Sequence, residues 1–528
     1  MFVYSALVLW NFAVEEFSTK VLFVFMTVLL IVRGIQMLRE ATSLPPGPWG
    51  LPILGSLPFL KGDLHLHFRD LTHKYGSLIS TRLGSHLIVV LSDYKMIRDA
   101  FRKEEFTGRP TTEFTNILEG YGVINTAGKL WKDQRRFLHD GLRHFGMSYL
   151  GSRKAQMENR IMTEVEQFLC VLKAQKNESI DLNPIFAVSI SNVICDVLMS
   201  VRFSHNDARF IRFMDLIDEG FKLFGSLEAA LFIPILKYLP GHTSTRQKIA
   251  KNRDEMAQFL QETIDDHRKT FDPSHLRDLL DTYLYEIQKA NEEGTGHYLF
   301  EGKDHDRQIQ QVMGDLFSAG METIKSSLQW AVLFMLHNPE RMRAVQEELD
   351  QVVGRQRLPK LEDLAYLPVT ESTILEVLRI SSIVPMGTTH SPTRDIKLNG
   401  FSLPQHAQVV PLLHAIHMDP TLWDEPEKFN PTRFINAEGK VTKPEYFLPF
   451  GVGRRMCLGE ILARMELFLF FSSLLHSFDI SVPEGETLPS LKGIAGVTIS
   501  PKAFKVSLKP RPMDWDNEDA NLRPAGSH

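Results

Sequence analysis

The chain has 528 residues, 43% of them hydrophobic and 23% charged, a globular balance with enough apolar side chains for one large core or two. A formal net charge of -5 excludes a protein drawn to nucleic acid by its bulk charge. The three cysteines, Cys170, Cys195 and Cys457, share no close spacing, so they form neither a disulfide framework nor a zinc pattern, and they suit a reducing compartment.

At the N-terminus, Phe2 to Val14 is mostly apolar, Glu15 to Lys20 is polar, and Val21 to Val32 is apolar again. A helix needs about 20 apolar residues to cross a bilayer, so neither run spans alone, but Phe17 to Leu38 suffices if Arg33 snorkels to the interface. No small-residue cleavage site follows, and residues 1–44 are expected to be a retained membrane anchor. Glu15 and Glu16 precede the span while Arg33 and Arg39 follow it, which predicts a cytoplasmic remainder. Leu44-Pro45-Pro46-Gly47-Pro48-Trp49-Gly50-Leu51-Pro52 cannot continue a helix, and residues 45–52 read as a stiff hinge ahead of a domain over 53–512.

Ser80 to Leu83 and Leu87 to Leu91 flank Gly84-Ser85 and predict a hairpin; from Ile97 onward helical periodicity dominates. Asn177-Glu178-Ser179 is a glycosylation sequon that a cytosolic domain would leave unmodified. Arg268 to Asp304 is charged and glycine-punctuated, and is expected to be in part a mobile surface connection. Asp306 to Asn338 keeps apolar residues at helical spacing with no proline until Pro339, a helix of about 50 Å, long enough to cross a domain. Residues 513–528 read as a disordered tail.

Within that long helix, Ala319-Gly320-Met321-Glu322-Thr323 sets two small residues beside an acid and an alcohol. Small residues let a helix backbone approach a flat cofactor. A threonine bonded to its own helix carbonyls opens a turn for water, and an adjacent carboxylate relays protons. Further on, Glu376 and Arg379 stand one helical turn apart, where side chains can meet, and Trp131 and Arg135 share a helical face at i and i+4.

Near the C-terminus, Cys457 stands in Phe450-Gly451-Val452-Gly453-Arg454-Arg455-Met456-Cys457-Leu458-Gly459. A lone cysteine framed by glycines and arginine reads as a haem-iron ligand. Backbone N–H groups beside Gly453 and Gly459 would stabilise a thiolate and leave room for a porphyrin, Arg455 would pair with a haem carboxylate, and Phe450 would cover the sulfur. The alternative is a buried structural cysteine beside a glycine turn. Cys170 and Cys195 lie in apolar helical sequence and read as core residues. Gly451-x-Gly453 and Gly294-x-Gly296 lack a third glycine, so no dinucleotide fingerprint exists and electrons must come from a partner. His65-x-His67 and His414-x-x-His417 lack clustered acids or cysteines and read as surface or packing histidines.

The cysteine run resembles Phe-x-x-Gly-x-Arg-x-Cys-x-Gly, the haem signature of the cytochrome P-450 family of haem-thiolate monooxygenases, at every defined position. Ala319 to Thr323 resembles that family's oxygen-binding motif, with Ile324 departing from its final threonine. The resemblance runs from Pro45 to about Pro510. It implies a fold that is mainly α with small β-sheets (α+β), a single large haem domain holding haem b (iron protoporphyrin IX). Cys457 would ligate the iron. Trp131, Arg135, His390 and Arg455 would contact the haem carboxylates, with Ala319, Gly320, Phe450 and Gly459 around the macrocycle. Thr323 and Glu322 would deliver protons, and Glu376, Arg379 and Arg433 would form a structural salt bridge. A haem-thiolate isomerase or a haem-binding sensor would not need the Glu322–Thr323 pair.

Partners implied are an NADPH-dependent cytochrome reductase and cytochrome b5, with Lys129, Lys132, Arg136 and Arg454 as a basic docking face or, equally, a solvated charge cluster. The location implied is the endoplasmic reticulum membrane with a cytoplasmic catalytic domain. Candidate substrate contacts, drawn from Phe114 to Val123, Phe221 to Phe224, Phe317, Ala319, Val384 to Thr388 and Ala495 to Thr498, include Phe114, Val123, Phe221, Phe317, Val384, Thr388 and Val497. They are mainly apolar and suit a large lipophilic ligand. Ala319 to Ile324, Gly387 to His390 and Phe450 to Phe468 look like the insect ecdysteroid 26-hydroxylase branch, which inactivates the moulting hormone; another steroid or xenobiotic hydroxylase is the alternative.

Overall fold

The computed structural model describes residues 20–21, 23–25, 27–28, 31–32, 34–35, 42–148, 151–175, 179–226 and 240–512. Most of the expected anchor, residues 177 and 178 of the sequon, and the tail from 513 lie outside them. No helix among the described residues is long and apolar enough to cross a membrane.

Among the described residues most are helical, joined by four small sheets. The predicted hairpin is present as β1 (Leu78–Leu83) and β2 (His86–Leu91), paired antiparallel with Ile79 opposite Val90, and β5 (Gln408–Pro411) adds in parallel to β2. The proline-rich segment is docked on this sheet: Ser80 donates from its N–H to Pro46 O at 2.9 Å and from its hydroxyl to Pro45 O at 2.6 Å. Gly47 lies so close that a Cβ there would sit 1.7 Å from Ser80 O, so glycine is required. The other strands form two-stranded sheets: β3 (Ile396–Leu398) with β4 (Phe401–Leu403), β6 (Phe478–Ser481) with β9 (Ser507–Pro510), and β7 (Ile494–Ala495) with β8 (Ile499–Ser500).

Eight helices bear on the site: α1 (Gly128–His144), α2 (Ser152–Ala174), α3 (Asn183–Met199), α4 (Ala208–Ser226), α5 (Pro240–Thr270), α6 (His305–His337), α7 (Pro368–Ser381) and α8 (Glu460–Ser477). The long helix α6 starts where the Asp304 side chain accepts from Arg307 N–H at 2.8 Å, and ends at Asn338, before Pro339. It packs against α3 and α8, which are apolar nearly all round and therefore buried. One expectation is refined and one is corrected. Part of Arg268 to Asp304 is surface connection, and between its loops stands a helix, Leu279–Glu292, capped by Asp278 accepting from Asp281 N–H at 2.9 Å and packed on α3 beside buried Leu279, Leu280 and Tyr283. Cys170 is exposed on α2, because its position falls on the outward face of that helix; Cys195 is buried as expected.

Candidate functional site

The loop before α8 is shaped by its glycines. Gly451 and Gly453 have φ of 70° and 85°, the left-handed region that side chains avoid, and a Cβ on Gly453 would lie 2.2 Å from Phe101 O. Arg454 N–H donates to the same Phe101 O at 3.0 Å, and Cys457 N–H donates to Phe450 O at 3.0 Å. Gly453→Ala is therefore expected to push the loop off Phe101 and lower retained haem several-fold, read as haem content per purified protein; wild-type content would count against this account of the loop. Cys457 is exposed, though the surrounding protein crowds its thiol. Burial by the surrounding protein raises its thiol pKa, the Gly459 N–H bond lowers it, Glu460 raises it, and Arg135 and Arg464 lower it. Arg464, which sequence reading missed, stacks 4.8 Å from the Phe450 ring and holds Glu460 at 2.8 Å.

Beside the cysteine lies a cluster of guanidinium groups. Buried Arg455 donates to Thr107 O at 3.0 and 2.7 Å and to Thr126 O at 2.5 Å, with its guanidinium 3.8 Å from the Trp131 ring of α1. Arg135, one turn on, donates to Met456 O at 2.6 Å. Arg109, absent from the sequence reading, donates to Ile124 O at 2.9 Å, Thr389 O at 2.8 Å and Thr388 Oγ1 at 3.2 Å. His390 donates from Nδ1 to Phe106 O at 2.8 Å and stacks on Phe101 at 3.8 Å. Burial, then the neighbouring arginines, pull Arg455 down to about 8, Arg109 to about 10 and His390 to about 3. Among the described residues, none of the three arginines has a carboxylate partner. A buried cation without a counter-charge is costly. A dianionic edge seated among them removes that cost, and the carboxylates of a porphyrin above Cys457 have that charge.

On α6, Ala319 is exposed and Thr323 is half-buried, with its hydroxyl donating to Ala319 O at 2.7 Å. That is the bond to its own helix carbonyl expected of it. Gly320 differs from expectation: it faces α3, where a Cβ would sit 2.7 Å from Ile194 Cδ1, so its smallness serves helix packing. Glu322 also turns away from Thr323's hydroxyl. Its Oε2 lies 2.6 Å from Lys325 Nζ, and its Oε1 accepts from Ser326 at 3.1 Å, Thr498 at 3.1 Å and Ser500 at 3.3 Å.

The candidate substrate contacts divide. Val384, Thr388 and Val497 belong to segments that converge, since Ile499 N–H donates to Ile383 O at 2.7 Å and Thr498 ties the β7–β8 hairpin to α6. Val123 is placed by Asp315 of α6, whose Oδ2 accepts from Val123 and Ile124 N–H at 2.8 and 2.9 Å; this staple also went unread in the sequence. Phe221 is half-buried on α4. Phe317 is corrected: it is fully buried, edge-on to Phe213 at 5.0 Å, and belongs to the core between α4 and α6. The side chain of Phe114 lies outside the described residues.

Glu376 and Arg379 of α7 are fully buried. Arg379 donates to Glu376 at 2.7 and 2.8 Å, to His417 O at 2.7 Å and to Pro426 O at 2.8 Å. Arg433 donates to Glu376 at 3.2 Å, which completes the expected three-residue bridge. On the outer face, Lys132 pairs with Glu104, and Lys129 and Arg136 both approach Asp133, at 2.7 and 3.5 Å. Arg454 remains exposed.

A family model described as Cytochrome P450 matches residues 45–508. The chain is 59% identical over 500 residues to a protein named Cytochrome P450 18a1 from Drosophila melanogaster, covering 94% of this chain and 93% of the fly protein. It is 34% identical to Cytochrome P450 2U1 from Rattus norvegicus, over 90% and 92% of the two chains, and 35% identical to Cytochrome P450 2B19 from Mus musculus, over 93% and 99%.

Proposed function

The chain belongs to the cytochrome P450 family, and from that premise we propose that it hydroxylates the side chain of an ecdysteroid at C26 and so inactivates the moulting hormone. Members of the family are haem monooxygenases that draw electrons from NADPH-cytochrome P450 reductase. When bound, the haem iron supplies activation of dioxygen, one atom of which enters the substrate while the other leaves as water. The chain's own residues do the rest. Cys457 would hold the iron, and the Gly459 N–H supports its sulfur. Arg109, Arg135 and Arg455 would bind the carboxylate edge, and His390, whose Nδ1–H is already given to Phe106 O, would join them from Nε2 as the imidazolium that a neighbouring dianion favours. Thr323 would hold a water beside its back-bonded turn, and Glu322, once released from Lys325, would resupply the proton.

The acid-free guanidinium cluster beside an open cysteine is the observation that carries the haem site. For the substrate, the support is the similarity to the fly protein together with the apolar character of Val384 and Val497. Residues 1–44 would hold the catalytic domain on the endoplasmic reticulum membrane through the 45–52 segment, with the reductase, aided by cytochrome b5, meeting the basic outer face. The test is a reduced, carbon-monoxide difference spectrum followed by titration with ecdysone and 20-hydroxyecdysone. A red-shifted thiolate band and displacement of iron-bound water by the steroid support the reading. The band without the steroid response removes the substrate and keeps the family.

Thr323→Ala is expected to keep the haem spectrum while product per NADPH falls roughly ten- to a hundredfold and peroxide rises, because the hydroxyl that positions water is gone. Unchanged coupling between NADPH use and product would remove Thr323 from the proton path.

A further inference from the structure

A buried lysine stands on α6 one turn beyond the acid. Lys325 is only 4% exposed, and an ammonium at such depth persists only when paired. Its Nζ is 2.6 Å from Glu322 Oε2 and 3.2 Å from Asp218 Oδ1 on α4. Burial opposes the charge, but Glu322 and Asp218 outweigh it and hold the lysine pKa above its usual value. One cation is thus shared between two acids on different helices. The two ends differ: Glu322 is enclosed by Ser326, Thr498 and Ser500, whereas the Asp218 side chain is 38% exposed. Asp218 lies three residues before Phe221, a candidate substrate contact, so a ligand bearing on that turn of α4 bears on the shared lysine.

We propose that Lys325 is a positioning residue that makes proton supply by Glu322 depend on the seat of α4. With α4 docked, Asp218 takes part of the ammonium's attraction and Glu322 is held less tightly. When Asp218 withdraws, the whole charge falls to Glu322 and holds its carboxylate, already turned from Thr323, more tightly in place. Substrate engagement at α4 is thereby linked to proton delivery on α6. This rests on the proton-relay reading of Glu322 given above.

The test uses the full haem-loaded chain as wild type, Asp218→Asn and Asp218→Glu, with two readouts: amide hydrogen exchange along 208–226 and the solvent deuterium isotope effect on turnover. Asp218→Asn is expected to speed exchange in α4 about 5-fold, the scale of one half-exposed ion pair, and to raise the isotope effect; Asp218→Glu should restore both. Unchanged exchange in Asp218→Asn overturns the tie. Faster exchange with an unchanged isotope effect overturns its link to proton supply. Glu322→Gln separates the two readings: if it turns over at the wild-type rate with the wild-type isotope effect, the relay role falls, while α4 exchange still decides whether Lys325 holds that helix.

Discussion

Cys457→Ala is expected to abolish the red-shifted band of the reduced, carbon-monoxide-bound protein and all monooxygenase turnover. No other thiol can substitute, because Cys195 is buried in α3 and Cys170 is exposed on α2. The substitution leaves the loop's backbone bond from residue 457 to Phe450 O untouched, and Ala fits the same backbone. Helix content by circular dichroism should therefore persist, which separates loss of the ligand from loss of the fold. A thiolate band in the alanine protein would overturn the assignment of the iron ligand.

Glu376→Ala should be the most damaging change away from the haem site. It leaves Arg379, fully buried, with only the carbonyls of His417 and Pro426 as strong acceptors, and it also frees Asn430 N–H, which donates to Glu376 at 2.8 Å. Removing one partner of a buried pair costs about 3–5 kcal/mol, so the thermal midpoint should fall by several degrees or the protein should fail to accumulate. Arg433→Ala should cost less, because its remaining bonds go to the carbonyls of Asp424, Glu425 and Lys428, at the more exposed end. Equal midpoints for Glu376→Ala and wild type would show that the bridge contributes nothing net to the fold.

Local signals accounted for what could be read in advance. The long helix shows in its period and its proline stop. The hairpin shows in Gly84, and the cysteine loop in its glycines, of which Gly453 lies against Phe101. Residues whose role depends on distant chain were harder. Glu322 and Lys325 at i and i+3 look like any solvated helical pair until α4 and the β7–β8 hairpin close over them. Arg109 is a single arginine in a loop, and only the return of Ile124, Thr388 and Thr389 brings its acceptors. Phe317 carries no mark in sequence that separates a wall of the cleft from the packing between α4 and α6. The paired histidines behave as read: His65 and His414 meet edge to face at 5.0 Å, and His417 bonds Ser382 at 2.8 Å.

The β7–β8 hairpin has a consequence for how this enzyme could change over generations. In this hairpin Thr498 and Ser500 reach Glu322, while Val497, in the turn between the two strands, is exposed. If Val497 meets the ligand as proposed, variation at 497 would reshape ligand preference while the acid's partners stay in place, whereas variation at 498 would disturb the acid itself. Drift in this segment should then be permissive at 497 and costly at 498 and 500, which would give the lineage a narrow route to new ligands that leaves its oxygen chemistry intact.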